Sequence, residues 1–201
     1  MKRSTTLLAV AVAALSATLA HASVSVGQAA PDFRVKDTSG KEQSLSAYKG
    51  KFVVLEWVNP ECPFVQKHYD TSNMQSTQKA AESKGVVWLT VSSTAPDAGE
   101  YLKPTDLAAW VKEKGGKPTA TLMDDDGKLG KTYGARTTPH MYIINPQGKL
   151  VYAGAIDSKA TARKDDVKSA TNYVTAALDE ALAGKTVSKA TSEPYGCSIK
   201  Y

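Results

Sequence analysis

Two periods of hydrophobic and polar positions alternate along the chain. FVVLEW (residues 52–57) and VVWLTVS (86–92) are unbroken apolar runs of strand length, the pattern of strands covered on both faces. PDFRVKDTSGKEQSLSAYKGK instead alternates, turns at Thr38-Ser39-Gly40 and returns through Gln43-Ser44-Leu45, which predicts a β-hairpin. MYIINPQGKLVYAG predicts a second hairpin turning at Asn145-Pro146-Gln147-Gly148, and residues 120–123 a brief strand. Helical spacing takes over after Cys62, where Phe64, Val65, His68 and Tyr69 share a face, and one helix is expected to run on to a cap at Gly85. TDLAAWVKEKGG predicts a short helix capped by Thr105 or Asp106, with Leu107, Trp110 and Val111 on one side. DDVKSATNYVTAALDEALAGK predicts a last amphipathic helix with Val167, Ala170, Val174, Leu178, Ala181 and Leu182 inward and Gly184 as its stop.

Strands alternating with helices and closing on an antiparallel hairpin predict an α/β fold, a central mixed sheet with helices on both faces and an added N-terminal hairpin. No internal repeat or low-complexity tract divides it. Residues 23–185 are expected to form one domain, and residues 186–201 a polar tail. The first 22 residues stand apart. Lys2 and Arg3 precede an apolar run that ends on Ala20-His21-Ala22, the order of a cleaved export signal rather than a membrane span.

Losing Lys2 and Arg3 lowers the net charge from +5 to +3. That remainder is scattered, which argues against nucleic-acid binding and for a solvated mixed-charge surface. No later segment reads as a membrane span, and no cofactor or metal motif is present. Export, periplasmic or secreted, changes the reading of the two cysteines, Cys62 and Cys197: in an oxidising compartment an even pair is expected to meet as a disulfide. The tail is long enough to bring Cys197 back over the domain, since its residues after Gly184 span roughly 50 Å when extended.

The candidate chemistry centres on WVNPECPFVQKHY. Pro63 suits the first position of a helix, so Cys62 falls at the cap, where unpaired amides and the helix dipole favour a thiolate. Pro60 stiffens the approach. Glu56 sits inside an apolar strand; a buried carboxyl there is a candidate proton relay, whereas one reaching the sheet edge or a lysine is merely structural. In ARTTPHMYIIN, Pro139 precedes a strand and is a candidate cis-proline, followed by a titratable His140 that either faces the thiol or lies on the surface. His68 is expected to be helix surface or core edge. Cys197 is a candidate resolving cysteine, alternatively a purely stabilising one.

VGQAAPDFRVKDTSGKEQSLSAYKGKFVVLEWVNPECPF resembles the opening of thioredoxin-like redoxins in the peroxiredoxin (alkyl hydroperoxide reductase/thiol-specific antioxidant, AhpC/TSA) superfamily. CPFVQKHY, TTPHMYIIN, VYAGAID, NYVTAALDEALAGK and YGCSIKY resemble one exported branch of it from end to end. The resemblance implies a thioredoxin fold. Cys62 matches the first cysteine of the thioredoxin C-x-x-C with Val65 in the second place, Glu56 matches its buried acid, and Pro139 its cis-proline. Peroxiredoxins carry P-x-x-x-[TS]-x-x-C; here Leu55 and Asn59 stand in the first two places, so the peroxidase signature is not reproduced. The expected function is thiol–disulfide exchange with a protein or small-molecule redox partner, in an antioxidant or redox role. Three alternatives remain: a peroxidase with a non-standard site, a binding module whose disulfide only ties down the tail, and copper handling by Cys62 with His140 or His68.

Overall fold

The computed structural model describes residues 23–201; the expected export leader lies outside the described residues. A five-stranded mixed sheet forms the centre, in the order β5-β4-β3-β7-β8. β3 (Val53–Trp57) occupies its middle, parallel to β4 (Val87–Ser92) and antiparallel to β7 (His140–Ile144). β5 (Ala120–Met123) extends the parallel side, and β8 (Leu150–Gly154) folds back from β7 through the hairpin foreseen at 145–148. The unbroken apolar runs fall where both faces are covered: each residue of β3 and of β4 is buried. The N-terminal hairpin pairs β1 (Arg34–Lys36) with β2 (Glu42–Ser44), while Leu45, expected in its return strand, opens a 3-10 turn capped by Ser44.

Period-two alternation along β3 sorts the core into two layers. Val54 and Val58 face the layer built with Val65, Tyr69, Met74, Ala81, Val174 and Leu178, contributed by α1 (Pro63–Asp70), α2 (Asn73–Glu82) and α5 (Tyr173–Leu182). Val53, Leu55 and Trp57 face the other, with Phe33 and Leu45 of the hairpin region and Leu129 and Tyr133 of the short α4 (Lys128–Tyr133). Trp110 of α3 (Pro104–Glu113) stacks against Tyr69 at 4.6 Å. Helices on both faces of a mixed sheet are thus what the element order predicts. Among the described residues no helix is long and apolar enough to cross a membrane.

Element ends depart from expectation in three places, each for a local reason. The helix after Cys62 does not run unbroken to Gly85: it stops at Asp70 and resumes at Asn73, across a left-handed Ser72 at φ +59°. Thr71 O–H donates to the Lys67 carbonyl at 2.7 Å beside its own amide, which reaches the same oxygen at 3.3 Å. α3 starts at Pro104 with Lys103 as cap, because proline is favoured in the first turn over the Thr105 or Asp106 start. The last helix begins at Tyr173 rather than near Asp165, since Asn172 caps it by accepting from Thr175 N–H at 3.0 Å. Val167 and Ala170 consequently lie outside α5, only half-buried, and Leu182 is exposed.

The tail is docked. Thr191 bridges to Ala153, and β9 (Cys197–Ser198) pairs antiparallel with β6 (Thr137–Thr138), setting Thr138 opposite Cys197. At the helix break, Ser72 bears a side chain in a conformation that glycine adopts freely. Ser72→Gly is expected to raise unfolding free energy by about 0.5–1 kcal/mol in chemical denaturation, the relief of the left-handed cost exceeding the entropy glycine adds to the unfolded chain.

Candidate active site

β3 ends at Trp57, and the chain turns through Asn59 and Pro60 to put Cys62 at the N-cap of α1 with Pro63 in its first turn. The turn is tied by Glu61 N–H to Asn59 Oδ1 at 2.9 Å and Cys62 N–H to the Asn59 carbonyl at 3.0 Å. Pro63 has no N–H, and Val65 N–H turns back to the Cys62 carbonyl at 2.9 Å. Phe64 N–H is therefore the first-turn amide that no hydrogen bond claims among the described residues. The Cys62 side chain makes no capping hydrogen bond with the first-turn amides, and the helix end contributes its partial positive charge nearby.

Cys62 and Cys197 are joined in a disulfide, their Cα atoms 5.8 Å apart across 135 residues of sequence. Cys62 is buried, with 2% of its surface exposed, while Cys197 is half-buried. Cys62 Sγ lies 3.1 Å from the Thr138 carbonyl oxygen, and Cys197 N–H points at the same sulfur from 3.4 Å. The Thr138–Pro139 peptide is cis, so the candidate proline stands directly after the residue that pairs with Cys197. Thr138 Oγ1 is buried beside the pair with no hydrogen-bond partner.

Glu56 does not reach the sheet edge, nor does it pair with a lysine. It is fully buried in the central strand and accepts four hydrogen bonds: from Tyr69 O–H at 2.9 Å on one oxygen, and from Trp88 Nε1–H at 2.6 Å, Thr90 O–H at 3.1 Å and Gln78 Nε2–H at 3.2 Å on the other. Burial pushes its carboxyl pKa up, against the pull of these donors. The side chain lies on the same side of the sheet as Cys62, in the layer of α1 and α2, but hydrogen-bonds to neither sulfur.

His140 is neither a surface residue nor an imidazole aimed at the thiol. It is buried, with Nδ1 3.3 Å from both Tyr142 O–H and Arg136 N–H and its ring stacked on Tyr142 at 4.5 Å. Alternation along β7 puts it with Tyr142 on the layer opposite Met141 and Ile143, away from the layer containing Cys62. Burial, then the Arg136 charge, lowers its pKa to about 3.

His68 corrects its expectation more sharply. It is fully buried, within a polar cluster that the sequence did not announce: Lys67, also fully buried, Asp157 and Tyr195 of the tail. Lys67 Nζ donates to the Lys159 carbonyl at 2.8 Å and lies 3.5 Å from Asp157 Oδ2. Tyr195 O–H donates to Asp157 Oδ1 in a short contact, and its oxygen lies 3.1 Å from His68 Nε2. One signal was available: the spacing of His68 with Phe64, Val65 and Tyr69 places it on the inward face of the helix. Among the described residues no three His, Cys, Asp or Glu side chains gather as a metal site.

A family model described as the AhpC/TSA family matches residues 26–153. The chain is 27% identical over 153 residues to the thiol-disulfide oxidoreductase ResA of Bacillus subtilis, covering 73% of this chain and 80% of that one. It is 30% identical over 142 residues to a thiol peroxidase of Staphylococcus haemolyticus, covering 67% and 79%. In structure it is similar to the thioredoxin domain of a thiol-disulfide oxidoreductase from Bacteroides vulgatus, with a TM-score of 0.53 at 23% identity over 73% of this chain and 98% of that one.

Gly196 adopts φ +136° immediately before Cys197, and a Cβ there would run into the Thr138 carbonyl. Gly196→Ala is expected to lift β9 from β6 and leave both cysteines free in a large fraction of molecules; counting free thiols in the non-reduced, denatured protein reads this directly.

Proposed function

The chain belongs to the AhpC/TSA family, and on that premise we propose that it is a thiol–disulfide oxidoreductase of an exported, oxidising compartment, with Cys62 as nucleophile and Cys197 as resolving cysteine. The observation that carries this reading is the bond itself, which links a helix-cap cysteine to a tail cysteine held beside Thr138–Pro139. In the reduced chain, Cys62 thiolate attacks one sulfur of a partner disulfide. The partner S–S bond breaks, a mixed disulfide forms on Cys62, and the partner's other sulfur leaves as a thiolate that takes up a proton. Cys197, after losing its proton, attacks the Cys62 sulfur of the mixed disulfide and expels the partner's second thiolate. The partner gains two electrons and two protons, and the chain ends in the disulfide form. An external dithiol reverses the process and resets the pair.

Each candidate residue has a defined part. The helix end favours Cys62 as an anion and therefore also as a leaving group. Thr137 and Thr138 pair with the tail strand, and the Thr138 carbonyl, just ahead of cis Pro139, lies against Cys62 Sγ. Glu56, a carboxyl whose burial favours its protonated form at higher pH than usual, stores a proton in the layer containing Cys62 and exchanges it with the thiol pair. The leader sequence and the pairing of the only two cysteines support the exported setting, where such a bond persists.

The thiol peroxidase relative favours peroxide as a second oxidant. Here Asn59, engaged in the turn before Cys62, stands where the signature has its hydroxyl, and Leu55, buried in the opposite core layer, where it has its proline. Stopped-flow oxidation of the reduced chain separates the two: rapid reaction with a model disulfide and a rate with peroxide like that of free cysteine are the expected results.

Cys62→Ser is expected to abolish disulfide exchange, whereas Cys197→Ser leaves Cys62 reactive and accumulates mixed disulfide, read by mass spectrometry of the acid-quenched reaction. Equal small losses in both variants, together with a reduction potential below about −300 mV, mark the bond as an inert staple. Glu56→Gln is expected to slow exchange about tenfold or more at neutral pH while leaving the oxidised pair intact in a thiol count.

A further inference from the structure

The oxidised chain buries Cys62 under its own tail, so the tail must lift before Cys62 meets a partner. What holds the tail down then enters the redox equilibrium of the pair. β9 contributes two paired residues, and the chain after Cys197 is held by Ile199 N–H to the Arg136 carbonyl at 3.1 Å, Ala95 N–H to the Lys200 carbonyl at 2.7 Å and Tyr201 O–H to the Ala135 carbonyl at 2.7 Å. Two residues before Cys197, Tyr195 enters the polar cluster between α1 and the segment after β8. Its ring packs against Phe64 with centroids 5.9 Å apart, and the Lys67 ammonium stands 5.4 Å above it.

The hydrogen bonds there run in one direction. Asn73 Nδ2–H donates to His68 Nδ1 at 2.8 Å, which leaves the ring proton on Nε2 to face the Tyr195 oxygen at 3.1 Å, and Tyr195 O–H donates to Asp157. This order requires a neutral His68. Asp157 Oδ2 makes no hydrogen bond and faces the Lys67 ammonium, while Oδ1 accepts from both Lys159 N–H and Tyr195 O–H, so the phenol closes over a carboxylate already fixed in place. We propose that Tyr195 is the positioning residue of the disulfide: its phenol, seated among Lys67, His68 and Asp157, holds Cys197 over Cys62 and makes opening of the bond responsive to proton uptake by the cluster. The proposal deepens the oxidoreductase reading and rests on it for its biological meaning.

The sign follows from the groups that face His68: Asp157 from the segment after β8, Lys67 from its own helix and Tyr195 from the tail, with uncharged Asn73 from α2. Asp166 of the 3-10 segment Lys164–Ser169 acts on Lys67 rather than on the imidazole. With the tail seated, burial lowers the His68 pKa to about 4, Asp157 opposing this and Lys67 adding to it. Lifting Tyr195 admits water and moves the imidazole back toward its ordinary value. Between those values the open form binds the additional proton, so falling pH favours the open, dithiol form, and the seated disulfide loses ground from about pH 6.5 downward. A low-pKa Cys62 thiolate has the opposite sign, since it favours the dithiol form as pH rises.

The test equilibrates the full mature chain with dithiothreitol, in which two electrons and two protons pass from the small dithiol to the protein disulfide. In the parent protein, after correction for the reagent's own ionisation, the ratio of dithiol to disulfide is expected to rise about tenfold from pH 7 to pH 5. His68→Gln is expected to flatten that rise. Tyr195→Phe, which keeps the ring and loses the O–H, is expected to shift the pH 7 equilibrium about tenfold toward the dithiol. A His68→Gln ratio that changes between pH 7 and pH 5 as the parent's does, or a Tyr195→Phe equilibrium within twofold of the parent, overturns the proposal. Either variant decides the matter if the other fails to fold. Failure of the oxidoreductase reading shows elsewhere: a reduced thioredoxin leaves the parent bond closed, while the dithiothreitol equilibrium still reports on Tyr195.

Discussion

A covalent bond between residues 135 positions apart brings the tail back across the end of the central sheet, and most of what this region does depends on that constraint. Neither partner is held by the same means. Cys62 is fixed from beneath by β3, the Asn59–Pro60 turn and Pro63, all parts of the folded core. Cys197 is held from above by two strand pairs, a glycine pressed against the Thr138 carbonyl and an anchored Tyr195. One sulfur therefore belongs to the sheet-and-helix scaffold and the other to a tail held by hydrogen bonds and side-chain contacts on both sides of Cys197. Closing so long a loop also stabilises the fold by about 4–5 kcal/mol in the chain-entropy account. A staple and a redox pair are thus not opposites here; the potential decides between them.

The sheet supplies the second asymmetry. Glu56 and Trp57 are neighbours in β3, yet alternation sends them into different layers. Glu56 joins the layer of α1 and α2, where four donors hold it. His140, paired opposite Trp57, goes the other way with Tyr142. The protonatable carboxyl therefore shares the Cys62 side and the imidazole is withheld from it. Burial raises the carboxyl pKa of Glu56 on the Cys62 side, while His140, lowered to about 3, stays neutral across the physiological range on the other.

Much of this was legible in the sequence because it rests on local rules. Continuous apolar runs marked β3 and β4, proline after cysteine marked the helix cap, and an acid inside an apolar strand marked a buried carboxyl. The break at Thr71–Ser72 was hidden because no glycine or proline marks it, and the start at Asn172 because apolar spacing continues before it; a left-handed Ser72 and the Asn172 cap set the observed ends. The cluster around Tyr195 was illegible for another reason. Its members lie at positions 67, 68, 157 and 195, so packing of α1 on the segment after β8 brings three of them together and the docked tail the fourth. A buried lysine and histidine look like an error in the hydrophobic pattern until the phenol and carboxylate that satisfy them are in place.

That cluster also bears on why the second cysteine sits in a tail at all. The place a C-x-x-C motif gives its second thiol is filled by Val65, fully buried in the helical layer of the core. A thiol there is held by the helix at nearly constant distance from the first, so its effective concentration is fixed by rigid geometry. A thiol in the tail has an effective concentration set by how often the tail is seated. Each group that seats it then enters the equilibrium of the pair, including groups that titrate, such as His68. Placing the second sulfur in the tail and not in the helix exchanges some intrinsic proximity for control by the anchors, and the residues that provide the control lie outside the motif that first draws attention to Cys62.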